Sequence, residues 1–254
     1  MNFTALKEKI SQSQIVNFGD VLNETFELFK KTWLQGVLLV VVLFVLIFAL
    51  EMLAFIPLAG VVSASELISP NAMKDFPLTT ILLVFSVIIT FICAVMTISN
   101  ALMAGYYRSV KAIDLGESSG SDLMYYLKSN YLVKSFKVSL AQTGIIILCY
   151  ITCFVPIIYV MVPVSFIVIA FAFNPDFSTG EILKVSFAIG NRNWVNAFFL
   201  RIVTSILAML GIIACGIGVL ATFSIALLPQ YIIYKKVVGF DNSSEIDTIG
   251  SKVE

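Results

Sequence analysis

The chain has 254 residues, 59% of them hydrophobic and only 13% charged, with a mean hydropathy of +0.98. Soluble proteins give about a quarter of their residues to charge, and no water-solvated core hides this much apolar surface, so a soluble globular protein is excluded. Sixteen Lys and Arg balance sixteen Asp and Glu, which leaves no net field to attract nucleic acid or an acidic partner.

In chain order, the first 35 residues are polar or amphipathic and the first long apolar run starts at Gly36. No cleavable leader is therefore expected, and the first span should act as an uncleaved anchor. That span covers about 36–58 and the second about 78–104, joined by a polar loop with Ser63, Ser65, Glu66, Ser69, Pro70, Asn71, Lys74 and Asp75. From Val138 to Pro175 the chain runs 38 residues without a charge, and from Ile202 to Tyr234 another 33. As single helices these would be about 50 to 57 Å long against a hydrocarbon core of about 30 Å, so each must fold back. The first divides near Phe154-Val155-Pro156, because proline lacks the amide a continuing helix needs; its halves are about 138–154 and 156–173. The second divides at Cys215-Gly216-Ile217-Gly218, where glycines permit reversal; its halves are about 197–214 and 219–234. The expected fold is an all-α polytopic membrane bundle with six transmembrane helices. Residues 1–240 form one integral membrane domain, and 241–254 are read as a flexible C-terminal tail.

Basic residues set the expected orientation. Lys7, Lys9, Lys30 and Lys31 precede the first span, and Arg108, Lys111, Lys128, Lys134 and Lys137 lie between the second and third. Lys184 and Arg192 lie between the fourth and fifth, and Lys235, Lys236 and Lys252 follow the sixth; the opposite side receives only Lys74. By the positive-inside rule both termini face the cytoplasm, and localisation in a bacterial inner membrane is expected. Hairpins that dip into the membrane and return would distribute the later charges in the same way, so full crossing and re-entrance both stay open for the last two.

An internal repeat runs through these elements. Gly19-Asp20-Val21-Leu22-Asn23-Glu24-Thr25-Phe26, continuing to Trp33, matches Gly180-Glu181-Ile182-Leu183-Lys184-Val185-Ser186-Phe187, continuing to Trp194. A weaker copy starts around Ser121-Asp122-Leu123 and reaches Tyr131. Three units (about 17–105, 120–174 and 179–237) are expected, each an amphipathic interfacial helix followed by two spans. In the first, Phe18, Leu22, Phe26, Phe29 and Trp33 form one stripe at helical spacing. Trp33, Tyr131 and Trp194 are the expected interface anchors, since their rings join an apolar body to a polar handle.

Ser186-Phe187 with Asn191-Arg192-Asn193-Trp194, then Leu210-Gly211, Gly216, Gly218, Leu220, Thr222 and Tyr234, resembles the last repeat of the YciC-like membrane proteins and of the membrane domain attached to some glycerophosphodiester phosphodiesterases. Gly116-Glu117 before Asp122-Leu123 resembles that family's cytoplasmic loop, and Pro156, Tyr159, Ser165 and Phe166 its fourth span. Leu115, Ile157 and Phe223-Ser224 depart from the family's arginine, glycine and proline. The resemblance implies a polytopic bacterial membrane architecture and is nearly silent on activity.

The chain contains no histidine, which removes the commonest general base near neutral pH and any Ser-His triad. Cys93, Cys149, Cys153 and Cys215 all fall in apolar stretches without zinc-site spacing. No catalytic residue, cofactor or metal is therefore expected. The candidate lipid or ion contacts are the polar groups within spans: Glu51, Asn100, Gln142 and Arg201. Glu51 reads either as an acid near water at the outer face or as an ion-coupling site. Arg201 reads either as snorkelling to the inner surface or as pairing with an anionic lipid phosphate. Asn100, Gln142 and Gln230 suit interhelical hydrogen bonds, Gln230 through a carbonyl freed by Pro229. The expected function is a non-enzymatic scaffold or accessory protein whose partners are membrane lipids or other membrane proteins; a carrier for a small or lipidic solute is the alternative.

Overall fold

The computed structural model describes residues 2–68, 78–117, 122–152, 155–213 and 218–240. The expected C-terminal tail, most of the first polar loop, Ser121, the Cys153-Phe154 bend and the Ala214 to Ile217 turn lie outside the described residues. Ten α-helices are described: α1 (Phe3–Gln12), α2 (Phe18–Ile68), α3 (Leu78–Leu115), α4 (Ser129–Ile151), α5 (Val155–Ser165), α6 (Ile167–Phe173), α7 (Thr179–Arg192), α8 (Trp194–Ile213), α9 (Gly218–Thr222) and α10 (Leu228–Val238). Among them are six segments long and apolar enough to cross a membrane: Phe18–Ile56, Ile81–Leu115, Asn130–Ile151, Pro156–Phe173, Trp194–Gly211 and Gly218–Val238. The chain is all-helical in its described parts and has the make-up of a multi-pass membrane protein.

The helices depart from the expected spans in four places. First, α2 continues through Gly36, joining the expected amphipathic helix to the first span in one 51-residue element. Nothing between Lys30 and Gly36 ends a helix, and ending one there would strand four carbonyls. Gly36 serves close approach instead, for a Cβ there would overlap the Ser224 side chain of the last span. Second, α3 runs on to Leu115, where Gly116 adopts φ +71°. The Glu117 amide then donates to the Ala112 carbonyl at 2.8 Å and the Gly116 amide to Ile113 at 3.4 Å, the paired bonds of a glycine helix stop. Third, the middle segment forms only a short 3-10 turn, Tyr125–Leu127, before α4. Fourth, the fourth and sixth spans are interrupted: Pro163 precedes the break between α5 and α6, and a 3-10 segment, Phe223–Ala226, separates α9 from α10.

The interrupted helices form the centre of the bundle. In α6, Ile167 to Ala172 are all buried, and nine of the eleven residues of α10 are buried. The most apolar windows of α2 and α3 are each only 6% buried, against 50% for the fourth and sixth spans. The apolar windows of α2 and α3 thus lie largely exposed on the outside of the bundle, while α6 and α10 lie in its interior.

Charge collects at one end. Lys235 pairs with Asp114 at 2.6 Å, Lys236 with Glu24 at 2.7 Å, Lys111 with Glu117 at 3.4 Å and Lys128 with Asp122 at 3.6 Å. The same end carries α1, a helix not expected from the sequence pattern, which buries Leu6 and Ile10 against α7 and α10. It also carries α7, whose start is fixed by a capping box: Ser178 accepts from the Glu181 amide, and Glu181 accepts from the Ser178 amide and hydroxyl. Those bonds hold the Glu181 carboxyl below its ordinary range, since they favour the charged form. Ile182, Val185, Ser186, Ile189 and Gly190 face inward. Gly190 admits Pro163, whose Cα would lie 2.6 Å from a Cβ at that position.

Asn191, Arg192, Asn193 and Trp194 act as a clamp. Asn191 accepts from the Tyr159 hydroxyl at 2.7 Å, and the Trp194 indole donates to the Tyr159 carbonyl at 2.9 Å. Arg192 donates from Nε to the Ser13 carbonyl at 2.6 Å. Asn193, 1% exposed, accepts from the Val16 amide at 3.1 Å, and Asn196 donates to the Val16 carbonyl at 2.6 Å. Replacing Asn193 with Ala strands the buried Val16 amide, at a cost of about 1 to 3 kcal/mol. The expected outcome is faster amide exchange and proteolysis over residues 2–17 with the rest of the bundle unchanged; equal protection in wild type and N193A would refute the clamp.

Candidate functional site

A cavity of about 470 Å³ opens between α3, α4, α5, α6, α8 and the start of α10. Helical spacing places its walls: Asn100, Met103 and Tyr107 follow one face of α3, and Gln142, Ile146 and Cys149 one face of α4. Arg201 of α8, Gln230 of α10 and Ser165 at the α5 break complete the polar lining, while Ile157, Val160, Met161 and Val168 supply an apolar wall.

The polar groups are only partly spoken for. Asn100, 4% exposed, donates to Ser139 Oγ at 2.8 Å and to Gln142 Oε1 at 3.0 Å, tying α3 to α4. Tyr107 donates to the Leu227 carbonyl at 3.2 Å. With the Gln230 amide turned to satisfy both its ends, its nitrogen donates to the carbonyls of Ala226 (3.1 Å) and Leu227 (2.8 Å), and its oxygen accepts from Arg201 Nη1 at 3.2 Å. Gln230 thus bonds the carbonyls of Ala226 and Leu227 at the break before α10, whereas the carbonyl that the missing Pro229 amide leaves in an α-helix is that of Ile225, four residues back. Arg201 on α8 is half-buried and keeps part of its surface accessible. Its guanidinium lies against Gln230, itself 4% exposed, and no acidic side chain is among the residues lining the cavity.

Three of the four candidate contacts, Asn100, Gln142 and Arg201, therefore converge on one site. Glu51 does not join them: it lies exposed on α2 beside a shallow groove with Met52, Ala54, Phe55, Val87, Ile88 and Phe91. No family model, curated protein or solved structure matches this chain.

The expected interface anchors divide. Trp33 is 48% exposed on α2. Trp194 is half-buried, stacked on Phe198 at 5.0 Å, with its indole hydrogen committed to α5. Tyr131 lies in the first turn of α4, with its hydroxyl 3.2 Å from that of Tyr125, over which the Arg108 guanidinium stands at 3.9 Å. Neighbouring Tyr126 donates to the Ala172 carbonyl, and burial pushes its phenol up to about 12, so it holds its proton throughout the physiological range.

Tyr107 was not singled out from the sequence, and Ser165 stood out only through the resemblance to the family's fourth span. The signal was present in the spacing, with Tyr107 seven residues past Asn100 on one helix face, and in two prolines each followed shortly by a polar residue, Pro163 by Ser165 and Pro229 by Gln230. Among the described residues, no group of three or more Cys, Asp or Glu is placed to hold a metal ion.

Proposed function

We propose that this chain is a non-enzymatic multi-pass protein of a bacterial inner membrane that holds a lipid or similar amphiphile within its helical bundle, as a scaffold or accessory to other membrane proteins. The cavity carries the reading, because it combines an apolar wall with convergent polar groups, the lining an amphiphile needs. Cytoplasmic placement of both termini is supported by the basic residues and α1 sharing one end. The repeat is supported by matched roles in α2 and α7. Asn17 accepts from the amides of Gly19 and Asp20 much as Ser178 accepts from that of Glu181. Thr25 and Ser186 bond back to the carbonyls of Val21 and Ile182 at 2.7 and 2.8 Å, and all four are fully buried. The middle unit keeps Asp122 and buried Leu123 and replaces the helical turn by a 3-10 one.

A carrier is the second reading, favoured by one observation: both interrupted helices border the cavity at their breaks, through Ser165 at the end of α5 and Leu227 before α10. Discontinuous helices of this kind mark many transporter binding sites.

Purification in native-lipid nanodiscs with mass spectrometry of the retained lipid tests the binding reading. Wild type should enrich one lipid class over the bulk, and a cavity-filling V160W or I146F variant should lose that enrichment. Bulk composition in all three would refute it. Flux of labelled lipid in proteoliposomes, abolished by the same variants, would favour the carrier over the accessory role.

A further inference from the structure

The charge of Arg201 narrows what the cavity can hold. A guanidinium presents five N–H donors and cannot be deprotonated in a protein. Here one of those donors meets Gln230 Oε1, and among the described residues no other protein acceptor and no carboxylate engages the group. Within the same walls the Gln142 side chain accepts from Asn100 through its oxygen, and its amide nitrogen donates to no protein group among the described residues. A cation on a transmembrane helix is costly, about 2.5 to 3.5 kcal/mol at the helix centre on insertion scales. Such groups face a bundle interior or water-filled cavity and find a counter-charge there.

Position along the helix argues the same way. Arg201 is seven residues beyond Trp194, about 10 Å along α8, and its head is turned against the buried Gln230. The charged and amide groups unmet at this site, an arginine fork and an amide N–H₂, are donors, and the Ser99 hydroxyl beside them can donate as well. The ligand they fit is an acceptor carrying negative charge, and two oxygens on one atom match the fork best. Beyond the donors lies the apolar wall of Ile157, Val160, Met161 and Val168. The volume corresponds to roughly fifteen water-sized groups at about 30 Å³ each, enough for a compact headgroup and the start of a chain.

We infer that the cavity binds an anionic amphiphile, with a phosphate or carboxylate head as the counter-ion of Arg201 and the adjoining chain against the apolar wall. This rests on the amphiphile-binding reading above and adds the sign and chemistry of the head. Phosphate could come from a lipid headgroup or from the free ion, and the test separates the two.

Purified protein in neutral detergent is titrated with phosphatidic acid, with diacylglycerol of the same chains and with inorganic phosphate, and occupancy is read by native mass spectrometry. Phosphatidic acid should bind at least tenfold more tightly than diacylglycerol. R201Q should remove that preference, while R201K, which keeps the charge and loses the fork, should keep part of it. R108Q, at the charged end and outside the cavity, should leave the preference intact. Displacement of phosphatidic acid by millimolar inorganic phosphate would assign the site to the free anion; failure to displace would assign it to the lipid head. Equal binding of the two lipids, or a preference that survives R201Q, overturns the inference, as does a loss in R108Q as large as that in R201Q. If both lipids bind equally and V160W excludes both, amphiphile binding stands and the anion assignment falls. If V160W changes neither, both fall. A monodisperse elution profile and wild-type helicity for R201K and R201Q guard against misfolding.

Discussion

Replacing Gly105 with Ala is expected to destabilise the bundle more than its size suggests. The α3 backbone meets the Leu123 backbone at this point: a Cβ at 105 would lie 2.7 Å from the Leu123 carbonyl carbon and 3.0 Å from its Cα, and it would overlap the carbonyl oxygen. The obstacle is main chain, and that main chain is fixed. Asp122 accepts from the Met124 amide at 3.0 Å through its side chain and from the Tyr125 amide at 3.2 Å through its carbonyl. Leu123 is 5% exposed, and the next turn is pinned by Tyr126 bonding to Ala172. Alanine gains about 1 kcal/mol over glycine in helix propensity, against about 1 to 3 kcal/mol or more for overpacking a site that cannot yield. The net result should be a lower thermal midpoint in detergent and loss of protection around residues 122–127. G144A is the control, because in α4 a Cβ at 144 meets nothing within 4 Å; there the propensity gain should stand alone and raise the midpoint slightly. Equal effects at the two positions would mean that the close approach at Gly105 has no energetic weight.

The second large effect is expected at Asp114. One of its oxygens, Oδ2, accepts from Tyr231 at 2.8 Å and from Lys235 Nζ at 2.6 Å, locking the end of α3 to α10. The Asp114 side chain is 16% exposed and that of Lys235 37%. Breaking a fully buried pair costs about 3 to 5 kcal/mol because the remaining charge is orphaned, and surface pairs are worth about 0 to 1 kcal/mol. Partial access of Lys235 to water places D114A between the two, at about 2 kcal/mol. The double variant D114A/K235M removes the orphan and should recover much of the loss, so unfolding midpoints in SDS should rank wild type, double variant, single variant. A single variant as stable as wild type would leave the cluster without a structural role.

The residues divide by the kind of information they carry. The division near Val155-Pro156 was readable because proline removes an amide at a place where the length of the charge-free run demanded a bend. Gly116 was readable as part of a Gly-Glu pattern, and the structure adds its physical meaning, a left-handed residue that ends α3. The continuation of α2 through Gly36 was not readable, since the glycine looks the same whether it starts a helix or admits Ser224 from almost two hundred residues away. Nor was α1, whose burial depends on α7 and α10 and on the hydrogen bonds that Arg192, Asn193 and Asn196 make to Ser13 and Val16 just after it. Asn100, Gln142, Arg201 and Gln230 each stood out as a polar group in an apolar span. Their meeting, and the separation of Glu51, depend on how α3, α4, α8 and α10 pack.

Local chemistry thus decides that the chain is helical and has segments suited to lipid: runs without charge are long against the hydrocarbon thickness, and each peptide group there must find its partner within its own helix. Packing decides the rest. Which face of a helix meets which neighbour depends on side-chain fit between residues far apart in the chain, so the breaks after Ser165 and at Leu227, the cavity they border and the meeting of Arg201 with Gln230 arise only once α5, α6, α8 and α10 are together.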